Sequence, residues 1–526
     1  MSKLKLLIEK MSKSSPEAVN TLNYKSKELL DYLYVETEIE KKYLEILNTN
    51  KNSKCLIFLS GSSGDGKSAI INKHYKKYKD YYSFHVDATH SFSPSQTAIE
   101  ALTESFSDYN SQDKSLVVGI NIGIMLNFID KPINGLENIQ FAIKTFLETK
   151  QNNKNIFFIN FEDYSKFNFE ENEINSDFIE KLLNKITKQS EKNPFYNAYT
   201  EDKQNNNLSI LHQNYALLLN TTIQKSIVNL LIIIYLKYDQ FLAARSILDF
   251  IYTLLKGPKL LVNKLFEDND NDIIKNISKE DPIIKRNFQI DKFILERKSD
   301  KVDLELNSFI DDFNSTYTLP ILDKKSAITL IRTFYLFRSI NISNDYHLNF
   351  EDSFSSNYVF EFIKLLSMHS SYEESYKKDI KEFYKNVTMA IYTYVNKNNP
   401  ELNKKNYITL STTSEFVTAS YVEIGPNWKE IKNSKIESFQ SFPLYLKINN
   451  KDLTIDVSLN MSIMFDLINN GYRPNKHDRN TIVIFEELIE SIIEIAKTSD
   501  KLLINSKNKN FSFREKEDEI EVNDEI

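Results

Sequence analysis

The sequence predicts an α/β fold built on a parallel sheet, followed by helical and small α/β parts. Three observations carry this. Between residues 54 and 161, short apolar runs alternate with longer amphipathic ones. The first of these joints carries a glycine-rich loop. Beyond residue 405 the pattern turns β-rich, with alternating apolar positions. Strand–helix alternation places parallel strands side by side with helices on both faces. At 526 residues the chain is too long for one core of ordinary size.

The elements follow in order. Residues 1–52 read as helical: Ser15-Pro16-Glu17 is a helix start, and a second run covers Val35 to Leu47. Residues 53–200 hold the predicted sheet. Its strands are Cys55–Leu59, Ser83–Val86, Leu116–Ile120 and Ile156–Ile159, with helices near 67–78, 94–106 and 136–149. Asn-rich runs such as Gln151–Asn155 and Gln204–Asn207 read as solvated loops. Residues 201–300 form a helical lid that includes a stop at Lys256-Gly257-Pro258. Residues 301–400 are helical and rich in Phe and Tyr. Residues 401–526 alternate strands and helices and end in an acidic tail, which is expected to fray after Arg514.

Gly61-Ser62-Ser63-Gly64-Asp65-Gly66-Lys67-Ser68 matches the spacing G-x-x-x-x-G-K-[ST] of a phosphate loop. Three of the chain's nine glycines fall within it. The glycines let the backbone N–H groups wrap an anion, and Lys67 neutralises β- and γ-phosphates. The Ser68 hydroxyl is a ligand for Mg²⁺, and the helix that continues through Ala69 turns its positive end to the site. An apolar strand before the loop and a helix after it are the context this chemistry needs. The expected class is therefore a P-loop NTPase sheet with a helical lid, with ATP and Mg²⁺ as cofactors.

A carboxylate usually completes such a site. Asp87 ends the second strand and Asp163 follows the fourth; the third ends at Asn121, which is a weak metal ligand and no base. Asp87 is the expected second metal ligand beside Ser68. Asp163 is a candidate catalytic acid, though either acid alone is as readily a solvated strand end. Only eight of the 66 basic residues are arginine, and none precedes Arg245. An arginine in this chain marks planar recognition. Arg245 lies in an apolar helix, from which it could reach a γ-phosphate or pair with Asp239 or Asp249.

Composition narrows the rest. The net charge of −7 disfavours a stand-alone DNA coat protein but allows a local basic groove. With one cysteine, Cys55, neither an internal disulfide nor a thiolate zinc site can form. No apolar stretch reaches bilayer length, and Ile227–Leu236 reads as a buried helix, so a cytoplasmic location is expected. Asn475-Lys476-His477-Asp478 spells the guanine-reading NKxD far from the loop, and no glycine has Asp three residues before it. ATP is therefore expected rather than GTP. Lysines 73, 76, 77 and 79 cluster with Tyr75, Tyr78, Tyr81 and Tyr82. They read as a solvated helix face more readily than as a DNA-facing edge.

Leu59–Ser68, then Asp87-Ala88-Thr89-His90-Ser91-Phe92-Ser93-Pro94, then Asn121-Ile122-Gly123 with Asn127-Phe128, resemble DptF. That is the F component of the DNA phosphorothioation-dependent restriction system. The likeness is sharpest over residues 55–130, thinner to 265 and sparse beyond, where Gly471-Tyr472-Arg473-Pro474-Asn475 is similar. The resemblance implies an ATP-binding subunit of a bacterial defence complex that acts on DNA lacking the sulfur modification. Its partners would be the G component and the helicase-like H component, with DNA met through the complex and no membrane involved. It carries over to Gly61, Gly64, Gly66, Lys67 and Ser68, and more thinly to Asp87, His90, Asn121 and Arg245. A nucleotide-binding scaffold without hydrolysis and a small-molecule phosphotransferase are the alternative readings.

Overall fold

The computed structural model describes residues 2–525 apart from 13–26, 90, 92–94, 165, 171–172, 285–286, 300, 318–321, 324–325, 339–343, 355–356, 435, 437–438, 476–477, 507–509 and 517–518. The expected helix start at Ser15-Pro16-Glu17 lies outside the described residues, as do His90 and Lys476-His477. The chain forms two compact units. One holds residues 1–168, 175–234 and 240–355; the other holds 169–174, 235–239 and 356–526.

The first unit contains a four-stranded parallel sheet, β1 (Leu56–Ser60), β2 (Tyr82–His85), β3 (Ser115–Ile120) and β4 (Ile156–Asn160), in the order β2-β3-β1-β4. Every residue of β1 and β3 is buried, as a sheet covered on both faces requires. The two faces separate by the period of the strand. Leu56 and Phe58 pack with helices 98–111, 122–129 and 137–149. Ile57 and Leu59 pack with helices 38–49 and 67–78. On the first face Phe58 stacks on Phe158 at 4.8 Å, Phe158 stacks on Phe146 at 4.2 Å, and Phe106 meets Phe58 edge-on at 5.8 Å. Helix 122–129 had no counterpart among the expected elements.

A buried carboxylate ties the N-terminal part to the sheet. Glu40, on helix 38–49, accepts from His74 Nε2 at 2.6 Å and Lys73 Nζ at 2.8 Å, both on the helix that follows β1. Tyr34 Oη donates to it at 2.8 Å. Burial alone would raise the Glu40 carboxyl, but these partners outweigh it and bring it to about 2. Asp202 is a second such clamp, also near 2: burial opposes, while Ser2, Lys3 N, Leu4 N and His212 Nε2 all donate to it. Helices fill the rest of this unit, with Arg332 buried against Asp281 at 2.6 Å.

A two-stranded ribbon joins β5 (Asn168–Glu170) to β6 (Glu173–Asn175). The strands of the two larger sheets in the second unit pair antiparallel. These strands are β7 (Tyr407–Thr412), β8 (Phe416–Tyr421), β9 (Ile424–Pro426), β10 (Ser441–Ile448), β11 (Lys451–Ser458), β12 (Lys501–Ser506), β13 (Asn510–Lys516) and β14 (Glu519–Glu525). They form sheets ordered β11-β10-β9 and β14-β13-β12-β8-β7, packed with helices 357–370, 377–395, 459–469 and 479–496. Asn396 ends helix 377–395 and ties it to β7 through Tyr407 O and Thr409 N. After Arg514, where fraying is expected from the sequence, the described residues lie in paired strands: β13 and β14 pair from Asn510↔Glu525 to Lys516↔Glu519. The acidic residues alternate with Ile520 and Val522, a strand pattern that composition alone hides.

Among the described residues no single helix is long and apolar enough to cross a membrane. Ile227, Leu230, Leu231 and Ile234 are buried within helix 221–238, as the sequence reading expects.

Candidate functional site

The Gly61–Ser68 loop leaves the buried end of β1. Helix 67–78 lies on one face of the sheet and helix 122–129, which follows the adjacent β3, lies on the other. Neighbouring parallel strands that send their chains to opposite faces open a crevice at their C-terminal ends. The loop sits at that crevice. Gly64 and Gly66 take φ of +83° and +104°, a left-handed backbone that a side chain would strain. Gly66 is the N-cap of helix 67–78 and offers no side chain to its first N–H groups. A Cβ built at Gly66 would meet nothing within 4 Å. Helix N–H groups without a side-chain cap, a glycine backbone and one cation are the kinds of group that suit an anion.

Lys67 Nζ donates to Gly61 O at 3.0 Å and Ser62 O at 2.6 Å. Burial pushes its ammonium down, opposed by the charges of Asp65, Asp87 and Glu162. Ser68 Oγ donates to Val86 O at 3.4 Å, which brings Ser68 beside the residue that precedes Asp87. Asp87 accepts from Thr89 N at 3.0 Å and Thr89 Oγ1 at 2.6 Å, so the turn after β2 is fixed by its own carboxylate. Ser63 and Ala69 are exposed, and Ser62 is half-buried.

Gly119 sets how close the β2 turn comes to the sheet. A Cβ there would lie 2.3 Å from Val86 O, and its carbonyl accepts from Ala88 N at 2.8 Å. A glycine inside a buried strand marks such an approach.

The remaining expected residues divide. Arg245 is brought to the loop: its backbone N donates to Gly64 O at 3.4 Å, and its Cβ is 3.4 Å from where a Gly64 Cβ would stand. It lies in the first turn of helix 244–255, whose N-terminus has no side-chain cap. Asn121 is the N-cap of helix 122–129, its Oδ1 accepting from Ile124 N at 2.8 Å. Asp163 accepts from Asn160 Nδ2 at 3.0 Å in a short 3-10 turn after β4. The charge that reaches Lys67 from this turn is that of the neighbouring Glu162.

Sequence reasoning missed Asn160, Glu162 and Lys166. Asn160 is buried at the end of β4 in register with Ser60, and its Oδ1 accepts from Ser60 Oγ at 3.5 Å and Glu162 N at 3.3 Å. It joins the strand before the loop to the acidic turn; a polar residue closing an apolar strand is the signal for it. Glu162 stands beside Asp163 and was separable only by geometry. Lys166 pairs with Asp65 at 3.5 Å, and nothing local in the sequence marks it.

Two other motifs resolve. Asp478 accepts from Asn475 N and Tyr472 Oη, both at 2.8 Å, so the acid of this tetrad is held by its own neighbours. Tyr78 and Tyr82 are core residues, and Lys73 is held by Glu40, which leaves Tyr75 and Tyr81 as the exposed aromatics of that cluster. Among the described residues no three His, Cys, Asp or Glu side chains are placed to hold a metal ion by themselves. Comparison with protein-family models, curated proteins and solved structures found no match.

Proposed function

We propose that the chain binds ATP with Mg²⁺ at Gly61–Ser68, as P-loop NTPases do. We further propose that it serves as the ATP-dependent subunit of a bacterial complex restricting DNA that lacks phosphorothioate. The observation that carries nucleotide binding is the loop itself: a G-x-x-x-x-G-K-S segment at the end of a buried parallel strand, opening a helix whose first turn has no side-chain cap. The backbone N–H groups of the loop and Lys67 would hold the phosphates. Ser68 and Asp87 would hold the magnesium ion, which supplies neutralisation of phosphate charge. Arg245, whose backbone N–H meets Gly64 O, would be the arginine to meet the terminal phosphate. Of the acids after β4, Glu162 is the better candidate to act near Lys67, because Asp163 is held by Asn160. The restriction role rests on the resemblance of residues 55–130 to the F component, whose G and H components would be the partners.

A second reading, a nucleotide-binding scaffold without hydrolysis, is favoured by Asn121. The strand beside β1 ends in an amide that caps a helix, where an acid would complete the site.

The test is Mg-ATP binding and turnover by wild type and Lys67→Ala, alone and with DNA with and without phosphorothioate. Lys67→Ala is expected to weaken binding by about 100-fold or more, since a charge-assisted contact to phosphate is lost. Turnover stimulated by unmodified DNA supports the restriction reading. Binding without turnover, even with partners present, supports the scaffold. Equal binding by the two proteins would sink both.

A further inference from the structure

We propose that Lys166 is a positioning residue for the glycine loop: by holding Asp65 it keeps that carboxylate from neutralising Lys67. The inference rests on the nucleotide-binding reading and deepens it.

Asp65 stands at a position where the loop motif accepts any residue. A carboxylate there works against an anion site, because it competes with phosphate for Lys67 and repels the phosphate itself. Its side chain is fully buried, and its Oδ2 is buried without a hydrogen-bond partner. The two groups converge on one residue. Asp65 Oδ2 lies 2.9 Å from where a Gly61 Cβ would stand, and Lys67 Nζ donates to Gly61 O at 3.0 Å. Burial raises the Asp65 carboxyl, against the charges of Lys166 and then Lys67 and against the Ser62 backbone N–H beside it.

Lys166 is built to hold that carboxylate elsewhere. It comes from the segment after β4, and its Nζ reaches Asp65 Oδ1 at 3.5 Å. Its carbonyl accepts from Ser176 Oγ at 2.6 Å, which fixes the backbone. Its ammonium lies 5.0 Å from the Phe241 ring, in the lead to the helix that carries Arg245. Removing one partner of a buried pair leaves the other charge uncompensated. Without Lys166, Asp65 has Lys67 as the next cation at the loop.

The experiment compares wild type, Lys166→Met, Lys166→Arg and the double variant Asp65→Asn/Lys166→Met. Mg-ATP affinity is measured for each, and crystal structures are determined for nucleotide-free wild type and Lys166→Met. Lys166→Met is expected to weaken Mg-ATP binding about tenfold or more. Lys166→Arg should keep most of the affinity, and the double variant should recover it. In the Lys166→Met crystal the Asp65 carboxylate should lie within hydrogen-bond reach of Lys67 Nζ. A merely structural role would leave the double variant as weak as Lys166→Met, and that result overturns the proposal. So does a Lys166→Met crystal with Asp65 unmoved. If Lys166→Met fails to fold, folding of the double variant supports the charge argument and its failure overturns it. If wild type does not bind Mg-ATP, the functional reading falls, and the crystal pair still decides whether Lys166 holds Asp65 away from Lys67.

Discussion

The parallel sheet of the first unit and the three-stranded antiparallel sheet of the second handle water in opposite ways. In β1 and β3 every residue is buried. In β10 burial alternates: Phe442, Leu444, Leu446 and Ile448 are buried, while Lys447 is exposed and Tyr445 is half-buried. A sheet covered on both faces can present chemistry only at its ends. A sheet with one wet face can present side chains along its whole length. In the first unit the Gly61–Ser68 loop, the Asp87 turn and the Glu162 turn accordingly follow strand ends.

Truncation of adjacent residues puts the contrast to its hardest test. Phe58→Ala should destabilise the first unit by about 4 kcal/mol and Ile57→Ala by about 3 kcal/mol, because neighbours on β1 face two different cores. Denaturant melts read both. A small cost at either position would mean that one face of the sheet is open.

Acid comes next. The Glu40 carboxyl falls from 4.5 in its free form to about 2 in the fold, so its contribution is full above about pH 4.5 and is lost as pH falls toward 2. That contribution is roughly 2–3 kcal/mol at most. Glu40→Gln should flatten the pH dependence of stability across this window. An unchanged slope would show that the His74 and Lys73 contacts contribute nothing.

The smallest effect belongs to the wet face. Lys447→Ala should change stability by no more than about 0.5 kcal/mol. Leu446→Ala beside it should cost about 3 kcal/mol. Equal costs would mean that β10 is covered on both sides, which erases the distinction drawn between the sheets.

What could be read from the residues follows the same division. The strand before the glycine loop was legible from its apolar run, and helix 67–78 from the motif that opens it. Helix 122–129 was not: Ile-Gly-Ile-Met-Leu-Asn-Phe-Ile is apolar nearly all round and has no helical stripe to detect. The hairpin of β13 and β14 was hidden by its charge. Within the site, the loop could be identified from spacing alone. The Asp65–Lys166 pair spans 101 residues, and no short window contains it. Asn121 illustrates the reverse case: its position invited a chemical role, and the structure gives its side chain a capping bond.

Gly119 bears on how portable such a site is. The missing side chain of a strand two elements away lets the Val86 carbonyl settle against the sheet, and that carbonyl is what Ser68 meets. Transplanting residues 61–68 onto another parallel sheet would carry the glycines and the lysine but not this spacing. A graft intended to keep the Val86 carbonyl against Ser68 would need the vacancy at residue 119 as well, although it belongs to neither loop.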